Sequence, residues 1–180
     1  KIEFADDLTS VRVVIHIEEG ERHRIRAISV KGNKLFPEEE LRTWLKSKVG
    51  DWYMEKTARA DVKTIEEKYG ERAYINAEIR ANPLFHLETG DIDVAIEILE
   101  NEKVKVGKIV IEGNTKTRED VIRREIKIYP GEDYNEKELR RSVNRLRDRR
   151  WFEYGGINIT RSEGDQPSVQ DVKVEVVEAP

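Results

Sequence analysis

The residues best equipped for chemistry are few and scattered. Three histidines occur, His16, His23 and His86, and no pair has the helical spacing of metal ligands. His16 alternates with Val13, Ile15 and Ile17, which turns it to the other face of a strand, while His23 and His86 fall in or beside loops. All three read as solvated surface side chains. Cysteine is absent, which excludes disulfides, zinc–thiolate sites and thiol catalysis. No G-x-S-x-G or S-x-x-K nucleophile motif occurs. Neither G-x-x-x-x-G-K-[ST] nor G-x-G-x-x-G occurs either, so no glycine-rich loop is formed to cradle a phosphate. "DYNEKE" at Asp133–Glu138 alternates oxygens but lacks the glycine of a calcium loop, and reads as a helix start. No catalytic residue, metal or cofactor is expected, and the chain is not read as an enzyme.

One charged run stands out. "LRRSVNRLRDRRW" carries six arginines and one aspartate between Leu139 and Arg150. A basic helix can bind phosphates or anionic headgroups, with Arg141, Arg145 and Arg149 as the candidate contacts. The plainer reading is the polar face of a helix whose apolar face is Leu139, Val143 and Leu146. A KH domain would need G-x-x-G, and no two glycines here are three apart. A net charge of −4, from 33 Lys+Arg and 37 Asp+Glu, argues against a general nucleic-acid binder.

The elements that must position such residues come from an internal repeat. Gly32-Asn33 and Gly113-Asn114 stand 81 residues apart (113 − 32). The same shift carries Ile28 and Val30 onto Ile109 and Ile111, Leu41 onto Ile122, Gly50 onto Gly131, and Tyr53 onto Tyr134. It also carries Ala58, Val62 and Ile65 onto Leu139, Val143 and Leu146. The second copy is three residues shorter, so Val94, Ile96 and Ile98 recur at Val172, Val174 and Val176, a shift of 78 (172 − 94). "VRVVIHIEE" near the start matches the last strand of a unit. The reading is therefore two whole units, 20–101 and 102–180, behind the C-terminal strands of a preceding unit at 1–19. "KIEFADD" has neither an initiator Met nor a signal-like start, and reads as a fragment of a longer chain.

Within each unit the periods are legible. "RAISVKGN" and "GKIVIEGN" are short β runs ended by Gly-Asn. A first helix follows, with Pro37 and Glu38–Glu40 at its start in one copy and a Thr117/Asp120 capping box in the other. Leu41, Trp44 and Leu45, then Ile122 and Ile126, form its buried stripe, and Gly50 and Gly131 are expected to end it. The second helix buries Ala58, Val62, Ile65 and Tyr69 in one copy, and starts at an Asn135 cap in the other. Two strands close each unit: "YINAEIR" with "DVAIEIL", and "GINIT" with "VKVEVV". The fold class is α+β, two tandem β-α-α-β-β repeats.

These features resemble the polypeptide-transport-associated (POTRA) domains of the BamA-type outer-membrane assembly family. The resemblance rests on Ile111-Glu112-Gly113-Asn114, Thr117, "VIRREI" at Val121–Ile126, Gly131, Tyr134 and "RLRDRRWF" at Arg145–Phe152. Family members usually carry a Gly–aromatic–Phe step after the second helix, where this chain has Arg150-Trp151-Phe152 and Ala73-Tyr74-Ile75. The resemblance implies a three-stranded mixed sheet with two helices on one face, and the last strand between the other two. The middle strand of each unit is then a sheet edge.

The resemblance also implies a periplasmic, non-enzymatic scaffold beside an outer-membrane β-barrel. It would receive unfolded outer-membrane proteins and accessory lipoproteins by strand addition at those edges. The edges are expected at Gly156, Ile157, Asn158, Ile159, Thr160 and Arg161, and at Tyr74, Ile75, Asn76, Ala77, Glu78, Ile79 and Arg80. Arg141, Arg145 and Arg149 are then candidates for contact with headgroups or with the barrel. Two alternatives stay open: a two-partner-secretion or TamA-like relative, and a nucleic-acid-binding tandem repeat.

Overall fold

The computed structural model describes residues 2–4, 11–16 and 20–180. Strands β1 (Ile2–Phe4) and β2 (Val11–Val13) pair antiparallel. Then β3 (Ile25–Lys31), α1 (Glu38–Trp44), α2 (Glu55–Gly70), β4 (Glu78–Phe85) and β5 (Ile92–Leu99) form one sheet with its helices. The series repeats as β6 (Lys105–Glu112), α3 (Glu119–Glu125), α4 (Glu136–Asp148), β7 (Phe152–Glu163) and β8 (Val169–Glu178). The sheets run β3-β5-β4 and β6-β8-β7, so in each the last strand lies in the middle. It is parallel to the first strand and antiparallel to the second.

Each core forms where a period-2 strand face meets a helical stripe. Ile92, Val94, Ile96 and Ile98 are all buried along β5, as are Val172, Val174 and Val176 along β8. Opposite them, Leu41, Ile65 and Tyr69 are fully buried in the first unit, and Ile122, Leu139 and Leu146 are buried in the second. Phe36 meets both Trp44 and Tyr69 edge-on, with centroids 5.0 and 5.1 Å away. Such edge-to-face pairs add to the burial that holds α1 against α2.

The Gly-Asn turns are explained by what they meet. Gly32 and Gly113 have φ of 85° and 88°, and a Cβ on either would run into the carbonyl of Ile98 or Val176 on the central strand. Only glycine fits both demands. A carboxylate from the end of that strand then grips the turn. Glu100 accepts from the backbone N–H groups of Lys34 (2.5 Å) and Leu35 (2.7 Å) and from the Tyr69 hydroxyl (2.9 Å). Glu178 accepts from Thr115 N–H (3.0 Å), Lys116 N–H (2.7 Å) and Thr117 N–H (2.6 Å), and from the Thr115 hydroxyl (2.7 Å). Asn33 and Asn114 donate side-chain N–H to the carbonyls of Phe36 (2.8 Å) and Thr117 (3.0 Å).

A second hold repeats as well, with a change of chemistry. Buried Asp61 accepts from Lys46 N–H (2.7 Å) and Ser47 N–H (3.1 Å), while buried Ser142 accepts from Lys127 N–H (2.9 Å). In both units the second helix thereby satisfies backbone donors just past the first helix.

Several local expectations are corrected. The first helices end at Trp44 and Glu125, and the chain leaves them extended. Gly50 and Gly131 sit in the loops beyond, at φ of 92° and 88°. No side chain caps α3, whose N-cap position falls on Arg118, one residue past Thr117. Asn135 does cap α4, accepting from Glu138 N–H at 3.1 Å. The strand expected over Tyr74–Arg80 begins only at Glu78 and runs through Pro83 to Phe85. Tyr74 is instead held by its N–H to Tyr69 O (3.0 Å), and Ala77 N–H returns to Tyr74 O (3.1 Å), a turn that uses those residues up. Ala73 and Arg150, where family members usually have glycine, adopt φ of 73° and 56°. The expected unit remnant at 1–19 falls partly on residues 1, 5–10 and 17–19, outside the described ones.

Two measurements test this fold. Leu146→Ala should cost about 2–5 kcal/mol in denaturant melts, since Leu146 is 1% exposed. Arg147→Ala should change stability by less than about 0.5 kcal/mol. Equal losses would place the wrong face of α4 in the core. The second concerns pH. Partial burial pushes Glu100 and Glu178 up, but the hydrogen bonds they accept outweigh it, and both lie below their ordinary 4.5. A carboxylate depressed by folding stabilises above its unfolded value and loses that stabilisation as pH falls. The urea midpoint should therefore fall as pH drops below about 4.5, and Glu178→Gln should show both a lower midpoint at pH 7 and a shallower acid decline.

Candidate functional site

Each three-stranded sheet has two edges, and they are finished differently. The first-strand edge is closed by its own loop. Ile25 N–H donates to Asp51 O (2.8 Å), Gly50 N–H to Ile25 O (2.7 Å) and Tyr53 N–H to His23 O (2.8 Å), and the Arg42 guanidinium covers the Ile28 carbonyl. The second unit does the same. Val106 N–H donates to Glu132 O (2.9 Å), Gly131 N–H to Val106 O (2.7 Å), Tyr134 N–H to Val104 O (2.9 Å) and Arg123 to Ile109 O (3.0 Å). These contacts close the start of each first strand.

On β7 and β4 the parity can be read directly. Gly164 N–H donates to Val169 O at 2.9 Å, and the β7–β8 register continues without slip from Glu163↔Gln170 back to Ile157↔Val176. In an antiparallel ladder alternate residues bond the partner. Ser162, Thr160 and Asn158 therefore bond β8, and Ile157, Ile159, Arg161 and Glu163 turn their N–H and C=O outward. Likewise His86 N–H donates to Asp91 O at 2.9 Å, in register with Phe85↔Ile92. Ile79, Ala81, Pro83 and Phe85 then turn their backbone groups outward on β4. Pro83 has no N–H, so it interrupts that edge at its middle without costing the sheet a bond.

A groove runs beside each open edge. Between α2 and β4 it measures about 570 Å³ and is lined by Tyr53, Ala58, Val62, Ile79 and Pro83 among others. Between α4 and β7 it measures about 340 Å³, with Leu139, Val143, Ile157 and Ile159 as its apolar lining and Arg140 and Arg161 on its polar side. Arg161 is braced by Glu136 at 3.3 Å. A strand added to either edge would place alternate side chains into these grooves.

The expected site residues divide. Gly156–Arg161 all lie on β7, with Gly156 just before regular pairing resumes at Ile157, after an irregularity that includes Gly155 at φ 77°. Glu78, Ile79 and Arg80 lie on β4, but Tyr74, Ile75, Asn76 and Ala77 do not, and Ile75 packs against the core of the second unit. The outward positions Ala81, Pro83, Phe85 and Glu163 were missed. The signal was there in Pro83, which a strand tolerates at an edge.

Arg141, Arg145 and Arg149 of the basic run make contacts within their own unit. Arg141 pairs with Glu138 (2.5 Å), and Arg145 donates to Glu125 O (3.2 Å) and Ser142 Oγ (2.8 Å). Arg149 neutralises the buried Glu125 carboxylate at 3.0 Å. These side chains are engaged within their own unit, while those of Arg141 and Arg149 stay 56% and 54% exposed. The histidines with described partners are engaged too. His23 Nδ1 lies 2.7 Å from Gly90 O, and His86 lies 2.9 Å from Asp93. Asp93, held by hydrogen bonds from Arg26 and then His86, is lowered to about 2. Among the described residues no His/Cys/Asp/Glu group is arranged to hold a metal, and no helix is long and apolar enough to cross a membrane.

The same arrangement of elements is found in known proteins. The POTRA family model, described as "Surface antigen variable number repeat", matches residues 23–101 and 104–179. The outer membrane protein assembly factor BamA of Neisseria meningitidis is 33% identical over 146 residues, 81% of this chain and 18% of that protein. BamA of Nitratidesulfovibrio vulgaris is 28% identical over 182 residues, 99% of this chain and 22% of that protein. The chain thus spans about a fifth of the length of these curated relatives. The crystal structure of Haemophilus influenzae BamA POTRA3-5 superposes with a TM-score of 0.87 at 23% identity, covering 99% of this chain and 70% of that one. BamA from Haemophilus ducreyi lacking POTRA domains 1-3 gives 0.75 at 19% identity, over 87% and 30%.

The parity makes a sharp contrast testable by folding alone. Asn158→Pro removes a donor to β8 and should unfold the second unit at markedly lower urea. Arg161→Pro removes only an outward donor and an exposed ion pair, and should melt close to the unaltered chain. The opposite ranking would mean the outward set is the other one.

Proposed function

This chain belongs to the POTRA family, and on that premise we propose that it is a periplasmic part of a BamA-like outer-membrane assembly factor. In this reading 20–101 and 102–180 are two repeats, and 1–19 ends a third. The repeats act without catalysis, as a scaffold beside the protein's own β-barrel. Unfolded outer-membrane proteins are the clients, and accessory lipoproteins of the assembly machinery are further partners.

The observation that carries the reading is the open β7 edge. It presents four outward N–H groups, at Ile157, Ile159, Arg161 and Glu163, beside a groove that combines apolar Leu139, Val143, Ile157 and Ile159 with a polar and charged rim. Main-chain bonds recognise any extended segment, which suits a receptor for many unrelated β-strands. Each contributes about 1 kcal/mol net, so binding is weak and reversible. A client threaded past must be released, and weak binding permits that. The β4 edge has the larger groove but lacks the donor of Pro83, which ranks it second.

Titration with an extended peptide from an outer-membrane β-strand tests this, read by amide chemical shifts. Shifts should concentrate on β7 and the facing side of α4. Arg161→Pro removes one of the four donors and should weaken binding about fivefold or more while the fold survives. Pro83→Ala should bring β4 up towards β7 in affinity. Shifts confined to the outer helix faces, or unchanged by Arg161→Pro, would rule out strand addition here.

A further inference from the structure

The joint between the two units is built from few contacts. Val104 N–H donates to the carbonyl of Ala73 at 2.9 Å. At the start of α4, Lys137 and Arg140 reach Glu71 and Glu67 at the end of α2, both at 3.1 Å. Gly70 is buried against Glu136, and Ile75 packs on the second core. One unit thus supplies a donating half, the turn after α2 with its acids. The other supplies a receiving half, the amide before β6 and the basic start of α4.

Moved back by 81 residues, the receiving half reappears at the far pole of the first unit. Val104 corresponds to His23, Lys137 to Lys56 and Arg140 to Arg59. The local geometry corresponds as well. Arg24 bridges Trp52 as Lys105 bridges Asp133, and Tyr53 N–H donates to His23 O as Tyr134 N–H does to Val104 O. What differs is occupancy. The His23 N–H has no acceptor among the described residues, and neither does the Lys56 ammonium have an acid partner there. Arg59 folds back on Glu55 at 2.5 Å. Beside them Val49, Trp52 and Met54 are 59%, 46% and 59% exposed, with Arg24 stacked on the Trp52 ring at 4.3 Å.

We propose that this pole is the receiving half of a second joint, and that its occupant is the helix-end turn of another repeat of the same kind. The occupant would turn a backbone carbonyl to the His23 N–H and bring acids from its last helical turn to Lys56 and Arg59. Its apolar side would cover Trp52 and Met54. The inference rests on the tandem-repeat reading above. Charge selects this occupant over a second copy of the chain. The second unit's own helix end carries Arg147 and Arg150 around Asp148, with Arg149 held on Glu125, where the first unit offers Glu67 and Glu71. A copy docked head to tail would set those arginines against Lys56 and Arg59, and like charges in contact oppose association.

Amide hydrogen exchange at His23 and at the Trp52 indole tests it, comparing this 180-residue chain with a longer chain that carries a complete repeat ahead of it. Exchange at His23 should slow by at least about tenfold in the longer chain. Lys56→Glu with Arg59→Glu should restore the fast rate while amides of β5 keep theirs, which reports an intact fold. Lys56→Gln alone should fall between. Equal exchange at His23 in both lengths would overturn the proposal. Protection in the shorter chain that grows with its own concentration would overturn it in favour of self-association. Protection on adding a β-strand peptide would overturn it in favour of a client site. The peptide titration at β7 reads the proposed function separately, so either can fail alone.

Discussion

The contact on which each unit depends is the approach of the Gly-Asn turn to the end of the central strand. Gly32 and Gly113 leave no room for a side chain beneath the carbonyls of Ile98 and Val176. Glu100 and Glu178, two residues further on, take the N–H groups that the turn would otherwise leave unpaired. This one contact joins the first strand to the last and starts the chain towards α1 or α3. Once the last strand lies beside the first, its other side is free only for the second strand. The second strand is thereby left on the rim. Openness at β4 and β7 is thus a result of how the turn closes.

Much of this was legible in the residues themselves. An 81-residue shift aligned glycines, apolar stripes and a tyrosine, because each fills a position with one steric answer. The gripping carboxylates obey the 78-residue shift of the last strands, which carries Glu100 onto Glu178, yet an acid at a strand end is ordinary enough to pass unnoticed. Asp61 and Ser142 were hidden for another reason. They are different residues performing one task, and only the buried backbone donors they meet reveal it. The start of β4 was misread because Tyr74–Ala77 alternates like a strand, while tertiary contacts with Tyr69 and the next unit hold it as a turn. Pro83 marked an edge, but nothing local shows which alternate residues of that strand turn their N–H outward.

The two units share a plan and differ along their open edges. Pro83 leaves a gap in the outward donors of β4, and β7 has no such gap among Ile157, Ile159, Arg161 and Glu163. Proline at a rim is a common guard against unwanted pairing. The arginines of α4 show a related division. In the run that reads as a basic surface, three of the six arginines pair with Glu125, Glu138 and Glu67.

The central position of the last strand also has a consequence in time. Ile25 pairs with Ile92, and Ile109 with Val172, so neither sheet contains a pairing between its first two strands. A chain emerging from its N-terminal end can form helices early, but β3 and β4 have nothing to pair with until β5 arrives. Non-local closure of this kind makes folding wait on chain completion. Each unit would remain open until its final strand is delivered and then close as a whole. A tandem array made this way is completed one bead at a time, in the order in which its strands are released.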